Sequence, residues 1–283
     1  MTDKTFFLGL GGQKCGSSWM QAYLARQDGS DFGRLGEYQI WESDLGSVFA
    51  RYKVAKPSAF ELVRARAKEK LGAAVPKDYL RWQMQTDRSL YFDYFQKLLK
   101  QSSIDRTGDI TPSYAALPAP MLAGIRDGFA ARDIKVRAMF SMRDPVARLR
   151  SHLKMEMAKG RIDETDEISA LDAFFAGPEA AARMRYDLTL AAMEEVFAPQ
   201  DRFITLFETL FTPEGVSEFA QWADVPLEPE AGSVSVNARG SGKETLPDSL
   251  MAKIALHYRP VYEAAARRKP EIARLWPSAA YVL

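Results

Sequence analysis

Short apolar runs ending in glycine or charge alternate along this 283-residue chain with longer stretches of helical periodicity. Residues 5–10 (Thr-Phe-Phe-Leu-Gly-Leu) form the first such run, and an unbroken apolar stretch of that length predicts a strand buried on both faces. Residues 17–26 then read as a helix, with a serine available as N-cap. Further strands are predicted at 32–35, 104–107, 134–142 and 202–207, and helices at 146–159, 169–175, 178–197, 214–223 and 247–268. Residues 117–120 (Leu-Pro-Ala-Pro) read as a turn before another helix. From about residue 43 to 100 the pattern is helical, charged and aromatic with no clear strand, which predicts a helical insertion on the substrate side. Strands alternating with helices predict one α/β domain over 1–283, a central parallel sheet of about five strands with helices on both faces.

Composition narrows the function classes. Thirty-eight Lys and Arg stand against 37 Asp and Glu, a net charge of +1, so the basic excess of a nucleic-acid-wrapping protein is missing and any anion site is local. The one cysteine, Cys15, cannot form an intrachain disulfide, and with two histidines, His152 and His257, the chain is poorly supplied with zinc ligands. No apolar stretch reaches the ~20 residues of a membrane span, and the first residues read as a strand rather than a signal peptide. A reducing, cytoplasmic location is expected; the oligomeric state is not legible.

The chemistry is concentrated at strand ends. Gly11-Gly12-Gln13-Lys14-Cys15-Gly16-Ser17-Ser18-Trp19 lies between the first strand and helix, where backbone N–H groups and a helix N-terminus converge on an anion. A Walker A loop would place lysine directly after the last glycine; here Lys14 precedes Gly16 by two residues. The run Lys-x-Gly-Ser-Ser-Trp after the first strand resembles the 5′-phosphosulfate loop of sulfotransferases that use 3′-phosphoadenosine 5′-phosphosulfate (PAPS). The resemblance implies that Lys14 meets the bridging oxygen and sulfuryl group, that Cys15, Gly16, Ser17 and Ser18 hold the 5′-phosphate, and that Trp19 stacks on adenine. Cys15 fills a variable position; a thiol at a helix N-terminus can acquire a lowered pKa, but no histidine lies nearby in sequence to activate it.

Residues 139–152 resemble the same family's 3′-phosphate segment: an apolar strand, Arg143-Asp144-Pro145, then Ser151 eight residues after the arginine. A guanidinium at a strand end suits bidentate phosphate binding. The neighbouring Arg148, Arg150 and Lys154 read as solvated helix charges. A third segment, 236–243, resembles the late basic loop over the 3′-phosphate and carries Arg239 and Gly240, with Lys243 a further candidate; a flexible solvated loop is the other reading.

Transfer to a hydroxyl needs a base. Residues 35–41 resemble the Lys-Glu-x-x-aromatic segment of the glycan-type branch, which places Glu37 on the family base; Gly36 stands where that branch has lysine, and a solvated turn glutamate is the bland reading. Residues 108–114 resemble another segment of that branch, with Ile110 replacing its lysine. Tyr38, Trp41, Trp82 and Asp109 are candidate acceptor contacts. Aromatic residues of the insertion could line an acceptor pocket or simply pack in the core. Taken together, the resemblance implies a P-loop-like fold and metal-free, in-line sulfuryl transfer from PAPS, giving 3′-phosphoadenosine 5′-phosphate (PAP), to a small-molecule, lipid or carbohydrate acceptor. The competing readings are a metal-dependent nucleotide or small-molecule kinase and a non-catalytic nucleotide-binding protein.

Overall fold

The computed structural model describes residues 4–164, 166–233 and 245–283. In chain order it builds β1 (Thr5–Gly9), α1 (Ser17–Ala25), α2 (Ala59–Lys70), α3 (Lys77–Thr86), α4 (Ser89–Leu99), β2 (Arg106–Ile110), α5 (Ala119–Ala130), β3 (Lys135–Met142), α6 (Pro145–Ala158), α7 (Glu167–Phe174), α8 (Pro178–Ala181) and α9 (Tyr186–Val196). Then follow β4 (Arg202–Leu206), α10 (Phe207–Leu210), α11 (Pro213–Ala223), α12 (Asp248–His257), α13 (Arg259–Ala266) and α14 (Ile272–Leu275). The sheet is parallel, in the order β2-β1-β3-β4.

Strand β1 lies at its centre because it is apolar on both faces. Phe6 and Leu8 point into one core cluster and Phe7 into the other, where Trp19, Tyr23 and Phe219 meet it. Phe6 stacks on Phe129 of α5 with ring centroids 4.0 Å apart. Full burial of such a ring stabilises by about 1.5–3 kcal/mol, and Phe6→Ala would cost about 3–5 kcal/mol. Every strand C-terminus opens toward the same edge, where open parallel sheets receive ligands.

The sheet has four strands among the described residues, not about five. The expected strand at 32–35 is absent: the Asp31 carboxylate accepts from Gly33 N–H (2.8 Å), Gly33 takes φ +70°, and only a single bridge from Ser30 to Arg106 remains. The strand expected at 104–107 runs later, as β2 over Arg106–Ile110, so Asp109 lies inside it. Two expected long helices are broken. Residues 182–185 separate α8 from α9, and Tyr258 separates α12 from α13, where Pro260 in the first turn of α13 has no N–H to carry the helical ladder on from α12.

The insertion has helices and no strand among its described residues, as its pattern predicts, and its aromatics mostly pack. Tyr91, Phe92 and Phe95 of α4 are buried against Phe6 and Phe129. Tyr79 is buried too, while Tyr52, Trp82 and Tyr94 are half-buried. Among the described residues no helix is long and apolar enough to cross a membrane.

Candidate functional site

The loop after β1 is shaped by its glycines and its neighbour strand. Gly12 N–H donates to Ser141 C=O (2.8 Å) and Ser141 N–H to Gly11 C=O (3.1 Å), which fastens the loop along the end of β3. Lys14 and Gly16 both take positive φ, +66° and +91°. At Gly16 a Cβ would lie 2.8 Å from Leu210 Cδ2 and would strain a backbone at positive φ, which favours glycine here. Gly16 is also the N-cap of α1, in place of the expected serine; it offers no capping side chain, and the first turn holds no acid. The α1 N-terminus therefore keeps its N–H groups and its positive dipole end for an anion.

The second anion element comes directly onto this loop. The Arg143 guanidinium lies over the Phe207 ring, 4.3 Å from its centroid, and its Nη1 donates to the Lys14 carbonyl at 3.3 Å. Residues 129 positions apart in the chain thus form one cationic corner. Asp144 explains the next position of the motif: it is buried, caps Ala147 N–H at 3.0 Å, and accepts from Ser278 N–H at 3.1 Å and Ser278 Oγ at 2.6 Å. Proline at the first position of α6 then starts the helix that carries Ser151, which is half-buried.

Arg148 is not the solvated charge its sequence setting suggests. It is fully buried; its Nε donates to Gln13 C=O at 3.3 Å and its Nη2 to Gln13 Oε1 at 3.2 Å, while Nη1 has no partner. The side chain therefore braces the anion loop from beneath. Arg150 and Lys154 both pair with Glu167. Cys15 is buried, with Sγ 3.6 Å from Tyr186 Oη, and burial pushes the thiol up to about 11, opposite to an activated nucleophile.

Glu37 is an exposed residue of the segment between α1 and α2, next to the buried Tyr38. Gln21 of α1 donates to Gly36 C=O at 2.8 Å, and Arg81 of α3 donates to the carbonyls of Glu37 (2.9 Å) and Tyr38 (3.1 Å). The segment is thus pinned beside the helix that opens at Gly16. Gln39 Nε2 donates to the Glu37 carboxylate at 3.2 Å. The surrounding protein mass raises the Glu37 carboxyl above its ordinary range; the Gln39 amide and the charges of Lys159, Arg81 and Arg183 pull the other way and lose.

Other candidates turn inward. Asp109 is fully buried and accepts from Thr111 Oγ1 (2.6 Å), Tyr114 Oη (2.7 Å) and Tyr91 Oη (3.0 Å), with burial raising its carboxyl to about 6. Tyr38 is buried and donates its hydroxyl to Phe32 C=O at 2.9 Å; Trp41 packs edge-on to Tyr91. These three side chains are buried in the core in this structure. Trp82 is half-buried against Tyr79. Trp19 is 2% exposed, wedged among Tyr23, Phe211 and Phe219, with its indole N–H on Ala231 C=O at 2.9 Å. Arg239, Gly240 and Lys243 lie outside the described residues.

The structure adds a buried carboxylate that the sequence reading missed. Glu42 accepts from Ser113 Oγ at 2.5 Å, its second oxygen has no partner, and burial raises it to about 7. His152 is fully buried edge-on to Phe174, and burial, then the Arg148 charge, lower it to about 2. Neither it nor Asp109 can act as a solvent-facing base here. No group of three or more metal-ligating side chains occurs among the described residues.

A sulfotransferase from Alicyclobacillus acidocaldarius superposes with a TM-score of 0.56 over 93% of this chain and 94% of that one, at 13% identity. This chain has the sulfotransferase fold. A sulfotransferase domain from the curacin biosynthetic pathway aligns over 85% of this chain and 81% of its own at 13% identity, with a TM-score of 0.45 that adds no weight. No protein-family model and no curated protein matches the sequence. At such low identity the likeness concerns the fold, and the sulfotransferase fold frames the site without assigning its residues.

Proposed function

We propose that this chain is a sulfotransferase that moves a sulfuryl group from PAPS to a hydroxyl or amine of a small-molecule, lipid or carbohydrate acceptor, leaving PAP. One observation carries this reading: the Arg143 side chain lies against the Lys14 carbonyl, so that a helix N-terminus without a side-chain cap, a loop lysine and a guanidinium over an aromatic ring share one corner. Two separated phosphates on one donor are what such a corner suits. The fold is consistent with it.

In this reading the loop from Lys14 to Ser18 holds the 5′-phosphosulfate on backbone N–H groups and serine hydroxyls. Arg143 and Ser151 take the 3′-phosphate, with Arg239 and Gly240 as further candidates, and Arg148 keeps the loop in shape through Gln13. Trp19 sets the wall of the nucleotide side. Glu37 takes the acceptor proton as the bond from acceptor oxygen or nitrogen to sulfur forms. The bond from sulfur to the phosphate oxygen breaks in line, and the Lys14 ammonium meets the charge that develops there. Donors fixed in advance supply most of such an effect. The Lys-less versions of both glycan-type segments, at Gly36 and Ile110, fit an acceptor that is not a polyanionic glycan, and a cytoplasmic setting fits the single buried thiol. The kinase reading needs a carboxylate for its metal, and Asp109, its one candidate, is fully buried with its oxygens engaged.

The test is incubation of the purified chain and a cell extract with sulfur-labelled PAPS, beside a parallel reaction with γ-phosphate-labelled ATP. Label from PAPS on an extract product supports the proposal. Label from ATP alone, or from neither, contradicts it.

A further inference from the structure

Helix α2 stands almost free of the fold. Its one buried residue is Ala65, yet Phe60, Val63 and Leu71 are 77%, 68% and 83% exposed. Steps of three, four and four residues through Phe60, Val63, Ala67 and Leu71 place these apolar side chains within an arc of roughly 80° and a length of about 16 Å. The same spacing sets Arg64 and Lys68 along one side of this ridge and Arg66 and Lys70 along the other. Neither acid of the helix lies on the ridge: Glu61 is held in a capping box with Ser58, and Glu69 falls on the opposite side. Residues 53–77 hold seven Lys and Arg against two Glu, a net of +5, whereas the rest of the chain carries a net of −4.

We infer that α2 seats on an anionic lipid surface, with the Phe60–Val63–Leu71 ridge in the boundary between headgroups and acyl chains and the flanking lysines and arginines against anionic headgroups. An exposed apolar ridge bordered on both sides by cations is the pattern of an interfacial helix. A protein partner would instead need an apolar groove with acid on both rims. Lys53, Lys56 and Lys77 add three further cations just before and after the helix in sequence. The seat is tied to the candidate site. Residues 71–76 lead from α2 into α3; there the Val75 carbonyl accepts from Arg34 at 2.8 Å, and Arg81 grips the carbonyls of Glu37 and Tyr38. The segment that carries Arg34, Glu37 and Tyr38 is therefore held to the chain that leads from the lipid seat into α3. This inference holds whichever reaction the site performs.

The experiment is flotation of the full chain with phosphatidylcholine vesicles containing phosphatidylglycerol, and with vesicles of phosphatidylcholine alone. The chain floats with the first and stays behind with the second. A Phe60→Ser/Val63→Ser/Leu71→Ser variant and an Arg64→Glu/Lys70→Glu variant each bind the anionic vesicles at least about ten-fold more weakly. All five positions are exposed, so neither variant disturbs packing. No flotation with anionic vesicles, equal flotation with both compositions, or unchanged flotation of either variant overturns the inference. A dimer in light scattering that the apolar variant abolishes assigns the ridge to a second copy and overturns it too.

Discussion

Arg143 donates to the Lys14 carbonyl across 3.3 Å while its guanidinium lies over the Phe207 ring, 4.3 Å from its centroid. The contact fixes a strand-end arginine against a loop residue held at positive φ, so loop shape and arginine position depend on one another.

That dependence makes Gly16, which holds positive φ where the loop enters α1, a sensitive position of the loop. Gly16→Ala forces a Cβ to within 2.8 Å of Leu210 at φ +91°. The strain costs on the order of 1–3 kcal/mol. Thermal unfolding should show the loss, and calorimetry should show PAP binding weakened by at least about ten-fold. An alanine variant with unchanged stability and affinity contradicts the loop geometry.

Much of this was legible in the sequence, for physical reasons. Strand β1, its loop and α1 are contiguous, so apolar run, glycines and helix signal appear together, as do β3, Arg143 and Pro145. The strand expected at 32–35 failed because Asp31 and Gly33 form a side-chain-capped turn, which an apolar pattern cannot distinguish from an edge strand. Pro260 was a visible signal for the break after α12. The burial of Arg148 was not visible: arginines are normally solvated, and its partner Gln13 lies 135 residues away. Asp109 looked available because its three hydroxyl partners come from separate elements.

Glu37 carries the proton in the proposed reaction. Glu37→Gln keeps the shape and the backbone contacts to Arg81. Donor affinity should stay within about three-fold while kcat falls by ~10²–10⁴. The base works when ionised, so wild-type kcat should rise with pH through the raised pKa of Glu37 and level off above it, and the variant should lack this limb. Single-turnover transfer across pH reads both. Near-normal transfer by the variant removes Glu37 from the mechanism.

Glu42 links burial to pH-dependent stability. Its folded-state pKa is raised from 4.5 to about 7, so the folded state holds a proton that the unfolded chain releases. Stability from this group is full below the ordinary carboxylate range and is lost as pH rises to about 7. Glu42→Gln should therefore flatten part of the fall in Tm between about pH 5 and about pH 7.5. An unchanged slope in a melting series shows that Glu42 is solvated.

Metal dependence separates transfer of sulfuryl from transfer of phosphoryl. Ser17 follows Gly16 where a Walker loop has lysine. Turnover of labelled PAPS should survive excess chelator. Activity lost with chelator and restored by magnesium favours a kinase.

The most direct measurement needs no acceptor. Calorimetric titration compares PAP with adenosine 5′-phosphate, on the wild-type chain and on Arg143→Ala. The wild type should bind PAP at least about ten-fold more tightly, and the variant should lose about ten- to a hundred-fold for PAP, the loss of a charge-assisted contact of about 1.5–3 kcal/mol, with a much smaller loss for adenosine 5′-phosphate. Equal affinities of the wild type for the two nucleotides, or an equal loss for both in Arg143→Ala, would contradict a site built for a donor with a 3′-phosphate.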